Sequence, residues 1–179
     1  MESAQFFCRR AVLEDAQTIA EIHVASWQAA YEKFFPADYL ANLSVKNRRQ
    51  MWERLIKADS PRAALLVAGS DDEINGFIAA GPARGLDSAL NWGEVSAIYV
   101  DPSAWRTPVG YTLMESACAF LWEQNHQQIM LWVLDGNDRA IRFYERYGFV
   151  KDTSPSGVQI EQIGGVSVRE IRYLLSNWV

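Results

Sequence analysis

The segment LWVLDGNDRAIRFYERYGFV, residues 131–150, restricts the fold more than any other part of this chain. It begins within the apolar run QIMLWVL, residues 128–134, which is long enough to form a strand buried on both faces of a sheet. A helical pattern follows, for which Asn137 is a good N-cap and Gly148 is well placed to end the helix in a left-handed conformation. The segment therefore predicts a buried strand that leads directly into a helix.

The rest of the chain alternates between strand and helix patterns, and it contains no internal repeat, low-complexity tract or linker. The predicted order is β-α-α-β-β-β-α-β-α-β-β, which indicates one domain over residues 1–179. We expect an α/β (α+β) fold in which helices flank a mixed central sheet. The second helix is capped by Ser44 and has an apolar face formed by Met51, Trp52, Leu55 and Ile56. The other predicted elements are strands over 5–12, 63–69, 76–83, 94–100, 149–152 and 166–175, helices over 13–34 and 109–123, and a loop carrying residues 154–157.

Charge and cysteine content argue against several classes of function. The 179-residue chain has a formal net charge of −5, which disfavours broad electrostatic binding of nucleic acid and suits a cationic acceptor such as an amine. Its two cysteines, Cys8 and Cys118, form neither a disulfide framework nor a metal-binding motif. No apolar run approaches the roughly 18 residues that span a bilayer, and the N-terminus lacks the long apolar region of a signal peptide. We therefore expect a cytoplasmic protein without metal, nucleic-acid partner or membrane association.

Six residues of the helical segment match the pattern N-x-x-A-x-x-F-Y-x-x-x-G-F at every position: Asn137, Ala140, Phe143, Tyr144, Gly148 and Phe149. The pattern resembles the strand–helix segment of the GNAT superfamily of N-acetyltransferases. Each residue also has a purely structural explanation, such as helix capping for Asn137 and core packing for Tyr144. The resemblance implies a GNAT-like sheet that splays open between the strand carrying AIYV and the strand carrying LWVL.

A second segment, EVSAIYVDPSAWRTPVGYTLM, is similar to the part of GNAT proteins that binds acetyl-CoA. There a strand is followed by Q/R-x-x-G-x-G/A, which opens a helix whose free N–H groups can bind a diphosphate. This chain departs from the pattern at Trp105 and Pro108 and matches it at Gly110. Arg106 is either a replacement phosphate contact or a solvated loop residue. The resemblance implies a cofactor-binding set of Ile98, Tyr99, Val100, Arg106, Thr107, Val109, Gly110, Tyr111, Thr112 and Asn137.

The N-terminal segment IHVASWQAAYEKFFPADYL looks like a first helix common in bacterial GNAT proteins, where this helix and the following loop border the acceptor pocket. The resemblance implies that Trp27 and Tyr31 contact the acceptor. Aromatic residues four apart on a helix also commonly pack into a core, so this explanation stays open.

The resemblance further implies an acetyl-CoA-dependent N-acetyltransferase, in which a primary amine of a small molecule or peptide attacks the thioester directly in a ternary complex. Such an amine must lose a proton before it attacks, because its pKa is near 10. Glu94 matches the position of an acid in many family members and is the predicted base, while Tyr144 is predicted to protonate the departing thiolate. The alternatives are a non-catalytic acyl-CoA-binding module and a protein-interaction domain that keeps only the fold. A homodimer is also left open.

Overall fold

A computed structural model describes residues 6–177, apart from the side chains of Leu86 and Ser88. Gln5, the first residue of the first predicted strand, lies outside this range. The described chain forms eight strands and five α-helices, in the order β1 (Phe6–Arg10), α1 (Ala16–Ala30), α2 (Ala37–Ala41), α3 (Val45–Ala58), β2 (Ala64–Ser70), β3 (Glu73–Pro82), β4 (Gly93–Val100), α4 (Val109–Glu123), β5 (Gln128–Leu134), α5 (Asp138–Tyr147), β6 (Val150–Lys151), β7 (Val158–Ile163) and β8 (Val166–Ser176).

The strands form one mixed sheet, which confirms the predicted fold class. Their order is β1-β2-β3-β4-β5-β8-β6, and β7 also pairs with β8. Neighbouring strands run antiparallel except for β4 and β5, which run parallel. The parallel pair lies in the interior of the sheet, as the buried strand 128–134 predicted.

The strands β4 and β5 pair over only two positions, Gly93 with Ile129 and Glu94 with Met130. Beyond these positions β4 continues to Val100 and β5 continues to Leu134 without pairing to each other. The sheet is therefore splayed between these two strands, as the resemblance implied.

Apolar clusters on both faces of the sheet hold the helices in place. On one face α4 inserts Leu113, Met114 and Ala117, all fully buried, into the main core. On the other face α1 and α3 pack through residues such as Ile19 and Trp52. The predicted apolar face of α3 is only partly confirmed: Trp52 is buried, but Leu55 is 53% exposed, since α3 packs mainly on α1 and buries a narrow stripe.

Two elements were not predicted, the short helix α2 and the strand β7. The strand β7 forms a hairpin with β8 through Gly164 and Gly165, whose φ angles are +56° and +79°. Two-residue hairpin turns of this kind require positive φ at both positions, and the pair Gly-Gly is one of their sequence signals. At Gly164 a side chain would also collide with the ring of Tyr39, so the hairpin tip packs closely on α2.

Candidate active site

A cleft of about 1000 Å³ opens where β4 and β5 separate. Its walls come from the end of α1, the loop before α4, and α5, together with β7 and β8. Nine of the predicted site residues besides the candidate proton-transfer pair line this cleft, namely Trp27, Tyr31, Ile98, Tyr99, Val100, Arg106, Thr107, Gly110 and Asn137. Both members of that pair, Glu94 and Tyr144, line it as well.

The register of β3 against β4 determines which backbone groups of β4 face the cleft. Asp101 donates its N–H to the carbonyl of Asn75, so Tyr99 and Ala97, two and four residues earlier, also point their backbone groups at β3, up to the register shift that follows Ala97. Tyr99 therefore pairs with β3, while Ile98 and Val100 direct their N–H and C=O groups into the opening beside β5. Among the three predicted β4 residues, Tyr99 offers the cleft its side chain rather than its backbone.

One of these backbone groups is already engaged. The carbonyl oxygen of Val100 accepts hydrogen bonds from Ser26 Oγ and from Trp105 Nε1, each at 2.9 Å. The N–H of Val100 and both backbone groups of Ile98 are left facing the opening. They form a short extended template for amide groups of a ligand.

The loop before α4 presents free N–H groups to the same cleft. Val109, Gly110 and Tyr111 occupy the first helical turn, where N–H groups have no intrahelical acceptor. The side chain of Val109 is buried in the core and that of Tyr111 is 55% exposed, so neither lines the cleft and only their N–H groups are available to a ligand. Thr112 also lies outside the lining, and it donates both its N–H and its hydroxyl to the carbonyl of Pro108.

Trp105, one of the two departures from the family pattern, has a definite structural role. Its indole N–H holds the end of β4 through Val100, and the guanidinium of Arg139 lies over its ring, 3.1 Å from the ring centroid. The next residue, Arg106, adopts a left-handed conformation with φ of +73°. This conformation is costly for a residue other than glycine, and such strain concentrates at functional sites.

Three arginines of α5 line the cleft and were not identified from the sequence: Arg139, Arg142 and Arg146. Their spacing of three and four residues places them on one face of the helix. This spacing was visible in the sequence beside the matched motif. Together with Arg106 they provide a basic wall next to the free N–H groups of α4.

Trp27 and Tyr31, predicted as acceptor-side residues, join an aromatic cluster that contains Tyr99. Trp27 Nε1 donates to the Tyr99 hydroxyl at 3.0 Å, and the rings of Trp27 and Tyr31 meet edge-on with centroids 4.8 Å apart. The ring of Tyr99 stacks on His23 at 4.8 Å. Burial raises the pKa of both Tyr31 and Tyr99, so their hydroxyls stay protonated.

His23 supports this cluster rather than the chemistry. It is buried and accepts a hydrogen bond from Trp52 Nε1 at its Nδ1, at 3.2 Å. Burial, aided by the nearby Arg48, lowers the pKa of His23 to about 3, so its imidazole is neutral at physiological pH.

Tyr144 is held on α5 with its side chain in the cleft. The helix is capped at its start by Asn137, whose side chain accepts a hydrogen bond from the N–H of Ala140, and at its end by Gly148, which has a φ of +116°. Tyr144 is 8% exposed, and its hydroxyl forms no hydrogen bond with any residue in the described range. Burial raises its pKa, so the proton is retained and remains free for a ligand.

Glu94, the predicted base, is held by an ion pair. Its carboxylate accepts three hydrogen bonds from Arg84: from the backbone N–H at 3.1 Å, from Nε at 3.1 Å and from Nη2 at 2.6 Å. The Glu94 side chain is 6% exposed, whereas that of Arg84 is 72% exposed.

A second carboxylate in the cleft, Glu170 on β8, was missed by the sequence reasoning. Its Oε2 accepts a hydrogen bond from Gln159 Nε2 on β7 at 2.7 Å. Burial raises the pKa of Glu170, and the neighbouring carboxylates of Glu161 and Glu94 raise it further, against the effect of the bond from Gln159. No local sequence signal marks Glu170, because its surroundings depend on the unpredicted strand β7.

Within residues 6–177 no cluster of His, Cys, Asp and Glu side chains is arranged to hold a metal ion. None of the helices described above is both long enough and apolar enough to cross a bilayer.

Comparison with known proteins gives matches along most of the chain. A sequence model described as "Acetyltransferase (GNAT) family" matches residues 17–149. The uncharacterized N-acetyltransferase YuaI of Bacillus subtilis is 30% identical over 165 residues, which cover 91% of this chain and 88% of YuaI. The Spermidine N(1)-acetyltransferase of Thermoplasma acidophilum is 23% identical over 158 residues, 86% of this chain and 94% of that enzyme.

Solved structures show the same fold. The PaiA N-acetyltransferase of Thermoplasma acidophilum, crystallised with coenzyme A, superposes with a TM-score of 0.70 at 18% identity over 96% of this chain and 99% of that one. YncA of Salmonella typhimurium, determined with its cofactor acetyl-CoA, also has a TM-score of 0.70 at 18% identity, over 96% of this chain and 93% of that one.

Proposed function

Because this chain belongs to the GNAT family and is thus an N-acetyltransferase, as its sequence predicted, we propose that it transfers an acetyl group from acetyl-CoA to a primary amine of a small molecule or peptide. One observation carries the proposal: the hydroxyl of Tyr144, which has no hydrogen-bond partner among the described residues, lies in the cleft between the splayed strands β4 and β5.

The residues of the cleft fit acetyl-CoA along its length. The backbone groups of Ile98 and Val100 suit the amides of the pantetheine arm, which can pair with them as a short strand would. The free N–H groups at the start of α4 suit the diphosphate, and Arg106 and the α5 arginines add positive charge there. Relatives whose structures contain coenzyme A or acetyl-CoA support this assignment.

Acetyl-CoA supplies an activated thioester carbonyl, and the chain supplies the means to move protons. Tyr144 donates its proton to the departing sulfur, which a buried and protonated tyrosine is suited to do. The acceptor attacks directly in a ternary complex, so no nucleophile of the protein is needed. Cys118 is buried in the core, and burial raises the pKa of its thiol to about 12.

The acceptor amine also needs a base, which the sequence assigned to Glu94. For Glu94 to act, Arg84 must first release its carboxylate, since all three of the bonds described above occupy it. Three carboxylates line the cleft together with the aromatic cluster, and this combination suits a cationic acceptor. They belong to Glu94 on β4, Glu161 on β7 and Glu170 on β8. The relative named Spermidine N(1)-acetyltransferase is consistent with an amine of this kind.

A non-catalytic acyl-CoA-binding module is the second candidate, favoured by Trp105 and Pro108 in the phosphate loop. An assay of CoA release across a panel of primary amines, from polyamines to peptide N-termini, distinguishes the two. Release with at least one amine supports the enzyme. Thermal stabilisation by acetyl-CoA without release for any amine supports the binding module, and the lack of any stabilisation would contradict both.

A further inference from the structure

We infer that Glu170, rather than Glu94, is the carboxylate that receives the acceptor amine and removes its proton. This inference rests on the proposed function. Glu170 lines the cleft from β8, opposite Leu134 at the end of β5, and is half-buried. It is thus on the strand beside β5, across the opening from β4.

The hydrogen bonds of the two carboxylates separate their roles. Arg84 donates to both oxygens of Glu94, so the guanidinium neutralises the charge of this carboxylate and fixes its position. Glu170 has no cationic partner in the described range, and only its Oε2 is bonded, by the neutral amide of Gln159. Its Oε1 is therefore free to accept a hydrogen bond from an ammonium group or from a water that relays the proton.

The groups that face Glu170 come from β7, from β4 and the loop before it, and from the end of α1. From β7 come Gln159, which stabilises the charged form, and the carboxylate of Glu161, which disfavours it. On β4, the carboxylate of Glu94 also disfavours the charged form of Glu170, and the hydroxyl of Tyr99 is neutral. Arg84, in the loop before β4, is bound to Glu94. From the end of α1 comes the neutral hydroxyl of Tyr31, and the guanidinium of Arg139 on α5 lies near Tyr31 rather than beside Glu170.

Burial and two like-charged neighbours thus outweigh one neutral hydrogen bond, and they raise the pKa of Glu170 toward the range in which a carboxylate serves as a general base. This effect supports an assignment that already follows from the free oxygen and its place in the cleft.

The proposed reaction moves protons through Glu170 and Tyr144. Glu170 takes one proton from the acceptor ammonium, and the freed nitrogen forms a bond to the thioester carbonyl carbon as the carbon–sulfur bond breaks. The sulfur takes the proton of Tyr144, and Tyr144 regains a proton from the second N–H of the former amine through solvent. Glu170 then releases its proton to water. The products are an amide, CoA and one proton for each ammonium consumed.

The test is kcat of Glu170→Gln, measured against pH with an amine that the wild-type enzyme acetylates and at a saturating concentration of that amine. Saturation matters because protonation of the free amine affects kcat/KM and not kcat. We expect kcat near neutral pH to fall by roughly 100- to 10,000-fold, with loss of the acid limb of the profile and unchanged affinity for CoA by calorimetry. A variant that keeps both the rate and the acid limb of the wild type would overturn the inference.

Two neighbouring variants test the same point without altering Glu170. Gln159→Met removes the bond that lowers the pKa of Glu170, so the acid limb should move to higher pH. Glu161→Gln removes a charge that raises this pKa, so the limb should move to lower pH. A base other than Glu170 predicts no such opposed pair of shifts, and their absence would reject the assignment even if Glu170→Gln did not fold.

The proposed function fails in a different way from this inference. If no amine supports CoA release by the wild-type protein, the proposed function is wrong. If the wild type is active and the variants above leave the profile unmoved, only the role of Glu170 is wrong.

Discussion

Arg84 donates three hydrogen bonds to the carboxylate of Glu94, so that an exposed cation fixes a buried anion at the start of β4. The backbone N–H of Arg84 takes part, which ties the loop before β4 to the strand as well as neutralising the charge. This geometry is that of a positioning pair, which supports the inference that Glu170 and not Glu94 is the base.

Glu94→Gln should therefore lower the melting temperature while keeping the acid limb of the kcat profile, because the amide retains only part of the bonding to Arg84. The limb should move to lower pH, since loss of the Glu94 charge removes one cause of the raised pKa of Glu170. Thermal unfolding and pH–rate profiles with a competent amine provide the measurement. Disappearance of the limb would instead identify Glu94 as the base, as the sequence suggested.

Tyr144→Phe should reduce kcat by about 10- to 1000-fold, because the ring stays and only the proton donor is lost. Stability should change little, since the hydroxyl has no partner in the described structure to lose. Tyr147→Phe is the matched control: it makes the same change three residues along α5, outside the cleft. Equal rates for the two variants would remove Tyr144 from the chemistry.

Pro108→Gly should tighten CoA binding several-fold. The residue immediately precedes the free N–H groups of α4 and cannot donate to a phosphate itself. A charge-assisted bond is worth roughly 1.5–3 kcal/mol, against about 1 kcal/mol lost to the added freedom of glycine. Calorimetry with CoA and with a pantetheine fragment lacking the diphosphate isolates the effect. Equal changes for both ligands, or weaker binding of CoA, would show that the missing donor is unimportant.

Arg172→Met should destabilise the protein by about 3–5 kcal/mol, because it removes a buried cation and leaves two partly buried carboxylates without a partner. Arg172 is 4% exposed and binds Asp87 at 2.6 Å and Asp152 at 2.7 Å, between the rings of Trp92 and Trp132. The measurement is urea unfolding near pH 7. A loss below about 1 kcal/mol would show that the aspartates find other compensation.

The pH dependence of that loss has a definite sign. Burial opposes the ionisation of Asp152, but the N–H of Ser154 and the guanidinium of Arg172 outweigh it, so the pKa of Asp152 is lowered. A carboxylate with a lowered pKa adds stability above its unfolded value near 3.9, and that stability is lost as the pH falls through the folded value. The difference between wild type and Arg172→Met should consequently shrink as the pH falls below about 4.

Local sequence signals predicted the elements that position Tyr144, because a cap and a stop act within a few residues. Asn137 and Gly148 bound α5 in the structure as their residue types indicated. The splay of the sheet between β4 and β5 followed only from the family resemblance, and it is confirmed by the structure.

The electrostatics of the cleft could not be predicted in this way. Glu94 meets Arg84 across the loop before β4, and Glu170 meets Gln159 across the hairpin of β7 and β8. Both pairs depend on strand register, which no pattern within either strand determines alone. The spacing of the α5 arginines was readable, but their place in the cleft depends on how α5 packs against the loop before α4.

Where β4 and β5 separate, each of these two interior strands has an unpaired edge that faces the other. Free edges on a protein surface tend to recruit strands from other chains, which leads to aggregation. Here the edge of β4 lies inside a cleft walled by α1 and α5, and part of its hydrogen-bonding capacity is used by Ser26 and Trp105. The molecule thus keeps backbone groups of β4 available to an amide chain within the cleft, while the flanking helices cover an edge that would otherwise be open to strands of other chains.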